Sequence, residues 1–345
     1  MFNGRLHARC QDLRARTNHN RGQGKCPPAR PARWFALAVA LMVSGPALAQ
    51  VTADGGIVNL TAPQATCSAS ICFEAKNNGT INSNGNPVNV TIPDDPGGNN
   101  FGALAHLGGT INLVNGGNLT IGDLGTGLLA GEKDGSNPGT IVGTGLRFSS
   151  GAGAIANTYV WANGAGSTLT LNGTTTLGGT VTVALTTDNG GVITANGPVN
   201  GTLVDSTIAD ATGGGRVDFN GGGTVNVSGD FIYLYGAFET GTITTHGVVA
   251  HLTGGSALGG TFFLLENNGT IELTDTAVDG TNSGLLYGLQ LKFTGAANAT
   301  LDNSQLTLNS AGKAIFVAGN NGRSRSRTAR RSPRSAMAPP TRWFS

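Results

Sequence analysis

Between residues 51 and 320 apolar and polar side chains change places every residue, in short runs. Thr168-Leu169-Thr170-Leu171 alternates an aliphatic with a hydroxyl. The same beat returns in Thr180-Val181-Thr182-Val183, Thr224-Val225-Asn226-Val227, Thr270-Ile271-Glu272-Leu273 and Gln305-Leu306-Thr307-Leu308. Period-two alternation bounded by Gly and Asn predicts short strands with one buried side. No stretch of comparable length beyond residue 50 carries a helical stripe, so the body is all-β.

The strands repeat. A Gly-Thr step followed by an aliphatic or aromatic residue begins at Gly79, Gly109, Gly139, Gly179, Gly201, Gly223, Gly241, Gly260 and Gly269. Its successive spacings are 30, 30, 40, 22, 22, 18, 19 and 9 residues. Loose periods of this size predict a solenoid, whose units bury their apolar sides only by stacking on one another. A right-handed parallel β-helix fits the residue choices, with aliphatics stacked inside and Thr, Ser and Asn outside. Gly, and to a lesser degree Asn, supplies the left-handed backbone angles of its corners. Irregular coils of about twenty residues predict roughly thirteen coils and a length of about 60 Å. A β-sandwich or a propeller predicts two-residue hairpin turns or a blade repeat of about forty residues, and neither pattern is visible.

Charge divides the chain into three parts. Residues 1–50 carry eight basic groups and one acid, residues 51–320 six and eighteen, and residues 321–345 seven arginines and no acid. The net +2 thus conceals an acidic body, which excludes nucleic acid as its natural partner. In the first part, Trp34–Val43 is apolar and follows Arg33, Ser44-Gly45-Pro46 breaks any helix, and Ala47-Leu48-Ala49 offers small residues before Gln50. This predicts an extended signal peptide over 1–49, cleaved between Ala49 and Gln50. The apolar run is about half of a membrane span. Cys10 and Cys26 leave with that leader, and Cys67 and Cys72 remain, either as a small-loop disulfide or as two buried thiols.

The leader, the Gly/Thr/Asn-rich repeats and the stretch Asn298-Ala299-Thr300-Leu301-Asp302-Asn303-Ser304-Gln305-Leu306-Thr307-Leu308 together resemble a pertactin-like autotransporter passenger of type V secretion. Gly269-Thr270-Ile271-Glu272-Leu273 is similar to the same class. The resemblance spans nearly all of residues 50–318 and implies an adhesive or self-associating surface rod, a virulence function rather than an enzyme. Its partners would be a host surface protein, a glycan or another copy of itself. Such passengers end in an outer-membrane barrel, whose strands need about nine to eleven alternating residues each. Residues 321–345 read as a basic disordered tail from an out-of-frame segment, so the chain as written is expected in the periplasm or medium. The intact protein is expected at the cell surface and outer membrane.

Candidate chemistry is sparse. His106, His246 and His251 are the histidines of the body, and the odd spacing of the last two suits no shared metal. Pairs such as Asp205 and Asp210, Asp218 and Asp230, or Asp275 and Asp279 would have to meet across coils to cleave a glycan. That enzyme reading is the alternative, beside a frameshifted gene without function. Pro93–Asn100 reads as an exposed loop and not a calcium site, so no cofactor or metal is expected. Phe231-Ile232-Tyr233-Leu234-Tyr235 and Phe262-Phe263-Leu264-Leu265 predict an aromatic stack within or beside the coils, with a sugar-stacking or protein-binding face as the sharper possibility.

Overall fold

The Gly-Thr-Ile steps lie on top of one another. Thr80 pairs with Thr110, Thr110 with Thr140 and Thr140 with Thr168, all in parallel register. Their aliphatic neighbours Ile81, Ile111, Ile141 and Leu169 form a buried column that continues through Ile193, Val217, Ile243 and Ile271. The computed structural model describes residues 50–63, 69–255, 260–285, 287–292, 296–309, 313–318 and 323–326, which form thirty strands and no helix. These belong to one compact unit, Ala38–Ser345. The chain winds as a parallel β-helix with three faces. Val51–Asp54, Ile71–Lys76, Phe101–Ala105 and their successors build the first face. Ile57–Asn59, Thr80–Asn82, Thr110–Leu113 and their successors build the second, an eleven-stranded sheet. Val88–Ile92, Gly117–Ile121 and Leu146–Ser150 begin the third. Thr175–Asp188 turns the corner unbroken and joins the third face to the first, making one 19-stranded sheet of both.

Coils are longer than the glycine spacing implied. On the second face Ile57 pairs with Thr80, 23 residues on, Thr80 with Thr110, 30 on, and Thr168 with Val192, 24 on. The short intervals arose because equivalent-looking Gly-Thr steps are not register partners: Gly201 pairs with Leu177 and Val225, and the intervals of 18, 19 and 9 cross from one face to another. Gly179, Gly201 and Gly223 are on the third, whereas Gly241 and Gly269 open second-face strands. At those second-face corners glycine is required by proximity. A Cβ on Gly139 would stand 1.9 Å from the Ala105 carbonyl oxygen of the preceding rung, and one on Gly241 2.0 Å from that of Ala211. Asn serves the tight turns instead: eight of the fourteen non-glycine residues with positive φ among those described are Asn.

Alternation fails at the same place in six of the coils. Entering the first face, two consecutive side chains point inward: Cys72-Phe73, Tyr159-Val160, Ala184-Leu185, Ile208-Ala209, Leu234-Tyr235 and Phe262-Phe263 are all in the main core. The register skips the first of each pair, as where Thr158 pairs with Thr126 and Val160 with Leu128. This corner widens the interior enough for aromatics. Tyr235 stacks on Phe263 with ring centroids 5.5 Å apart and meets Phe219 edge-on at 5.9 Å. The Tyr235 hydroxyl is buried there without a hydrogen-bond partner. Burying an unpaired hydroxyl costs about 1–3 kcal/mol. Tyr235→Phe is therefore expected to raise stability by about 1 kcal/mol in denaturant titration, while keeping both ring contacts.

Candidate functional site

Because two residues turn inward, the first face presents its outer side through closely flanking columns. One column runs Glu74, Leu104, Leu129, Trp161, Thr186, Asp210, Gly236, Leu264 and Gln290, each paired with the next. Its early part is closed by the chain itself. Phe101, Leu104 and Leu129 are buried in a second apolar cluster outside the coil, with Ile71 and Trp161 packed against it. The Lys133 ammonium lies 5.3 Å from the centre of the Phe101 ring and donates to Asn99 at 3.1 Å. Beside this cluster His106 bridges two carboxylates from neighbouring coils, with Nδ1 2.7 Å from Glu132 and Nε2 3.2 Å from Glu74. Glu74 also receives Lys76 and the Gln50 amide, and Glu132 receives Ser136 and Asn137. The His106 hydrogen bond above all holds the Glu132 carboxyl below its ordinary range. Every oxygen of this network is engaged, so it acts as a staple across coils rather than as an open site.

Further along, the outer side opens and becomes acidic and aromatic. The Trp161 indole N–H donates to Asp188 Oδ2 at 2.7 Å, and the Tyr233 hydroxyl donates to Asp210 Oδ2 at 3.1 Å. Tyr233 and Phe238 meet edge-on at 5.9 Å across Gly236. A Cβ on Gly236 would stand 2.4 Å from the Phe238 ring and 2.6 Å from Asp210 Oδ1, so the missing side chain is what lets ring and carboxylate meet. Asp210 Oδ1 is enclosed without a hydrogen-bond partner. Burial away from water pushes the Asp210 carboxyl up to about 7; the Tyr233 hydrogen bond opposes this and the Asp188 charge reinforces it. Burial raises Asp188 as well, against the Trp161 hydrogen bond.

Folding thus favours the protonated Asp210. Between its ordinary value of 3.8 and about 7 the folded protein holds a proton that the unfolded chain has released, so stability falls as pH rises through that window. The loss from this group is on the order of 2–4 kcal/mol and is complete above the upper limit. Asp210→Asn is expected to abolish that part of the slope when unfolding free energy is measured from pH 4 to 8, and to be the more stable protein at the alkaline end.

The other residues singled out in the sequence disperse. Asp205 and Asp230 do meet, the Asp230 amide donating to Asp205 Oδ1 as a rung-to-rung cap. Asp94 accepts from the Asp123 amide and Asp123 from the Ile155 amide in the same manner. Asp218 pairs with Arg216 on the second face at 2.7 Å, remote in the coil from Asp230. Asp95 accepts from the amides of Gly97 and Asn100, turning the Pro93–Asn100 loop on itself. His246 ends a second-face strand and His251 lies within a third-face one, both exposed. His251 pairs with Asp279 beside a bulge and helps line a recess of about 310 Å³ with Thr281, Gln305 and Thr307. Thr281 hydrogen bonds hold the Asp279 carboxyl low. Tyr235 and Tyr233 part company, one in the core and one outside. Cys72 is disulfide-bonded and buried. Cys67, Ala47 and Ala49 lie outside the described residues, and Gln50 is the first within them. Among the described residues no group of three or more His, Cys, Asp or Glu is arranged to hold a metal ion, and no helix is long and apolar enough to cross a membrane.

On the outer side of the second face amides and hydroxyls form ladders. Asn112 donates to Asn82 at 2.8 Å and Asn82 to Asn59 at 3.0 Å. Asn196 donates to Asn172 at 3.0 Å, and the Thr140 and Thr168 hydroxyls touch at 3.2 Å. No protein-family model matches this chain, and no curated protein or solved structure does either.

Proposed function

We propose that this chain is an exported bacterial β-helix, a passenger of the autotransporter kind, that acts as a binding rod in adhesion or self-association and not as an enzyme. The observation that carries this reading is the set of ladders on the second face. A primary amide has two N–H donors and an acceptor oxygen. Each ladder bond uses one donor, which leaves the second donor and a lone pair for a partner. Stacking repeats that offer about every 4.8 Å, so one face presents many weak hydrogen-bond sites in a row. Such an array suits a host surface protein, a glycan or the same face of a second copy. Cleavage has less support, because the most perturbed carboxyl, Asp210, has one oxygen enclosed and the other engaged by Tyr233. Beads coated with the purified chain should clump or attach to epithelial cells, and beads coated with Asn82→Ala/Asn196→Ala protein should do so far less. Equal attachment by both proteins and by albumin-coated beads would refute this role.

A further inference from the structure

We propose that the outer side of the first face, from Trp161 to Tyr233 and Phe238, is a binding trough for an uncharged or amino-sugar oligosaccharide lying along the helix axis. This goes beyond the adhesive reading and uses a different face from the ladders. Trp161 is three rungs from the Tyr233–Phe238 pair, through Thr186, Asp210 and Gly236. At about 4.8 Å per rung the aromatic ends are roughly 14 Å apart, room for two to three pyranose rings. Between them the outward side chains are Val183, Thr186, Asp188, Thr207, Asp210 and Thr212, mostly small and half-buried. Small polar residues between aromatic walls make a trough, and aromatic rings stack on the apolar faces of sugars.

The rings are also fixed in place at a cost. Asp188 and Asp210 hold the polar ends of Trp161 and Tyr233, and Asp210 keeps one oxygen enclosed and unpaired to do so. A coil needing only stability would place an apolar residue or threonine there, since a carboxyl with one oxygen enclosed and unpaired destabilises the fold. Orienting exterior rings with half-buried acids is what a preorganised recognition surface requires. The three rungs carry no Lys or Arg over 181–188, 207–212 and 233–238. Uronate and sulfated chains are therefore disfavoured, and hydroxyl- or amine-bearing sugars are favoured.

The test uses the purified full chain titrated calorimetrically with cellohexaose, maltohexaose, chitosan hexamer and hexagalacturonate, and in parallel with spermine. At least one of the first three should bind saturably, with hexagalacturonate at least tenfold weaker. Thr186→Arg fills the floor of the trough from a half-exposed position without emptying the core, and should weaken that binding at least tenfold with an unchanged circular dichroism spectrum. Trp161→Phe should weaken it less than Trp161→Ala. The proposal is overturned if none of the three binds, if Thr186→Arg binds as wild type does, if hexagalacturonate binds equally well, or if spermine alone binds. Because the ladder residues are untouched, bead adhesion surviving Thr186→Arg separates this site from the adhesive reading.

Discussion

Gly139→Ala is expected to destabilise the protein by about 3 kcal/mol or more, although it adds a single methyl group. The new Cβ would stand 1.9 Å from the Ala105 carbonyl oxygen and 2.2 Å from its carbon. That carbonyl cannot turn aside freely, because it accepts the Gly131 amide at 2.8 Å. Relief requires the two coils to separate locally, which weakens the Thr140–Thr110 pairing and loosens Ile141 from Ile111 in its column. The φ of Gly139 is not in the left-handed region, so the penalty comes from contact alone. Gly56→Ala is the matched control: its Cβ would meet nothing within 4 Å and its φ is likewise ordinary. Thermal unfolding followed by circular dichroism should show a fall of about 10 °C for the first variant and less than about 2 °C for the second. Similar midpoints for both would mean that the coils are not in this contact.

Phe263→Ala is expected to cost about 3–5 kcal/mol. Phe263 is 1% exposed, stacks on Tyr235 from the coil before, and pairs with Leu289 in the coil after. Its removal takes away apolar burial on both sides and leaves a cavity that rigid neighbouring strands fill poorly. In a solenoid each coil is supported by its two neighbours, so the damage should also be local in extent. Hydrogen exchange should accelerate most across Tyr233–Ala237 and Tyr287–Lys292 and least at Thr110–Leu113. Uniform acceleration along the chain would show one indivisible cooperative unit, in place of coils coupled to nearest neighbours.

Both effects bear on what could be read without coordinates. The all-β character and the division into inner and outer residues were legible, because Leu169 and Leu171 point into the core while Thr168 and Thr170 are half-exposed. Period-two alternation reports that division directly. The coil length was obscured because glycines of one Gly-Thr motif stand at positions that are not in register. Gly139 yields to a carbonyl of the coil below, Gly179 has a φ of +84°, and Gly201 lies against the Leu177 carbonyl oxygen on another face. Counting all three as one motif shortens the period. The inward pairs at the first-face corner were hidden for the opposite reason, since Tyr159-Val160 and Phe262-Phe263 break the alternation that defines a strand.

The candidate site was scarcely legible. Asp188 and Asp210 are 22 residues apart, and Trp161 and Asp188 are 27 apart; only the register brings each pair together. A trace remained in Tyr233-Leu234-Tyr235, where one tyrosine was bound to face each way. The sequence predicts a packed stack there, which Tyr235 joins, and gives no sign of the carboxylate that orients Tyr233. Of the acids that seemed natural partners in sequence, Asp205 instead caps the Asp230 amide and Asp218 pairs with Arg216.

Ladders, trough and core all rest on the register of the stack, so the decisive measurement is a pair of cysteine cross-linking experiments. Thr140 and Thr168 are register partners with hydroxyls 3.2 Å apart, and neighbouring strands lie about 4.8 Å apart, within reach of a disulfide. Thr140 and Thr194 are separated by a whole further coil. Peptide mass spectrometry after mild oxidation should find an intramolecular bridge in Thr140→Cys/Thr168→Cys and none in Thr140→Cys/Thr194→Cys. A bridge in the second variant, or in neither, would contradict the register and with it the account of both surfaces.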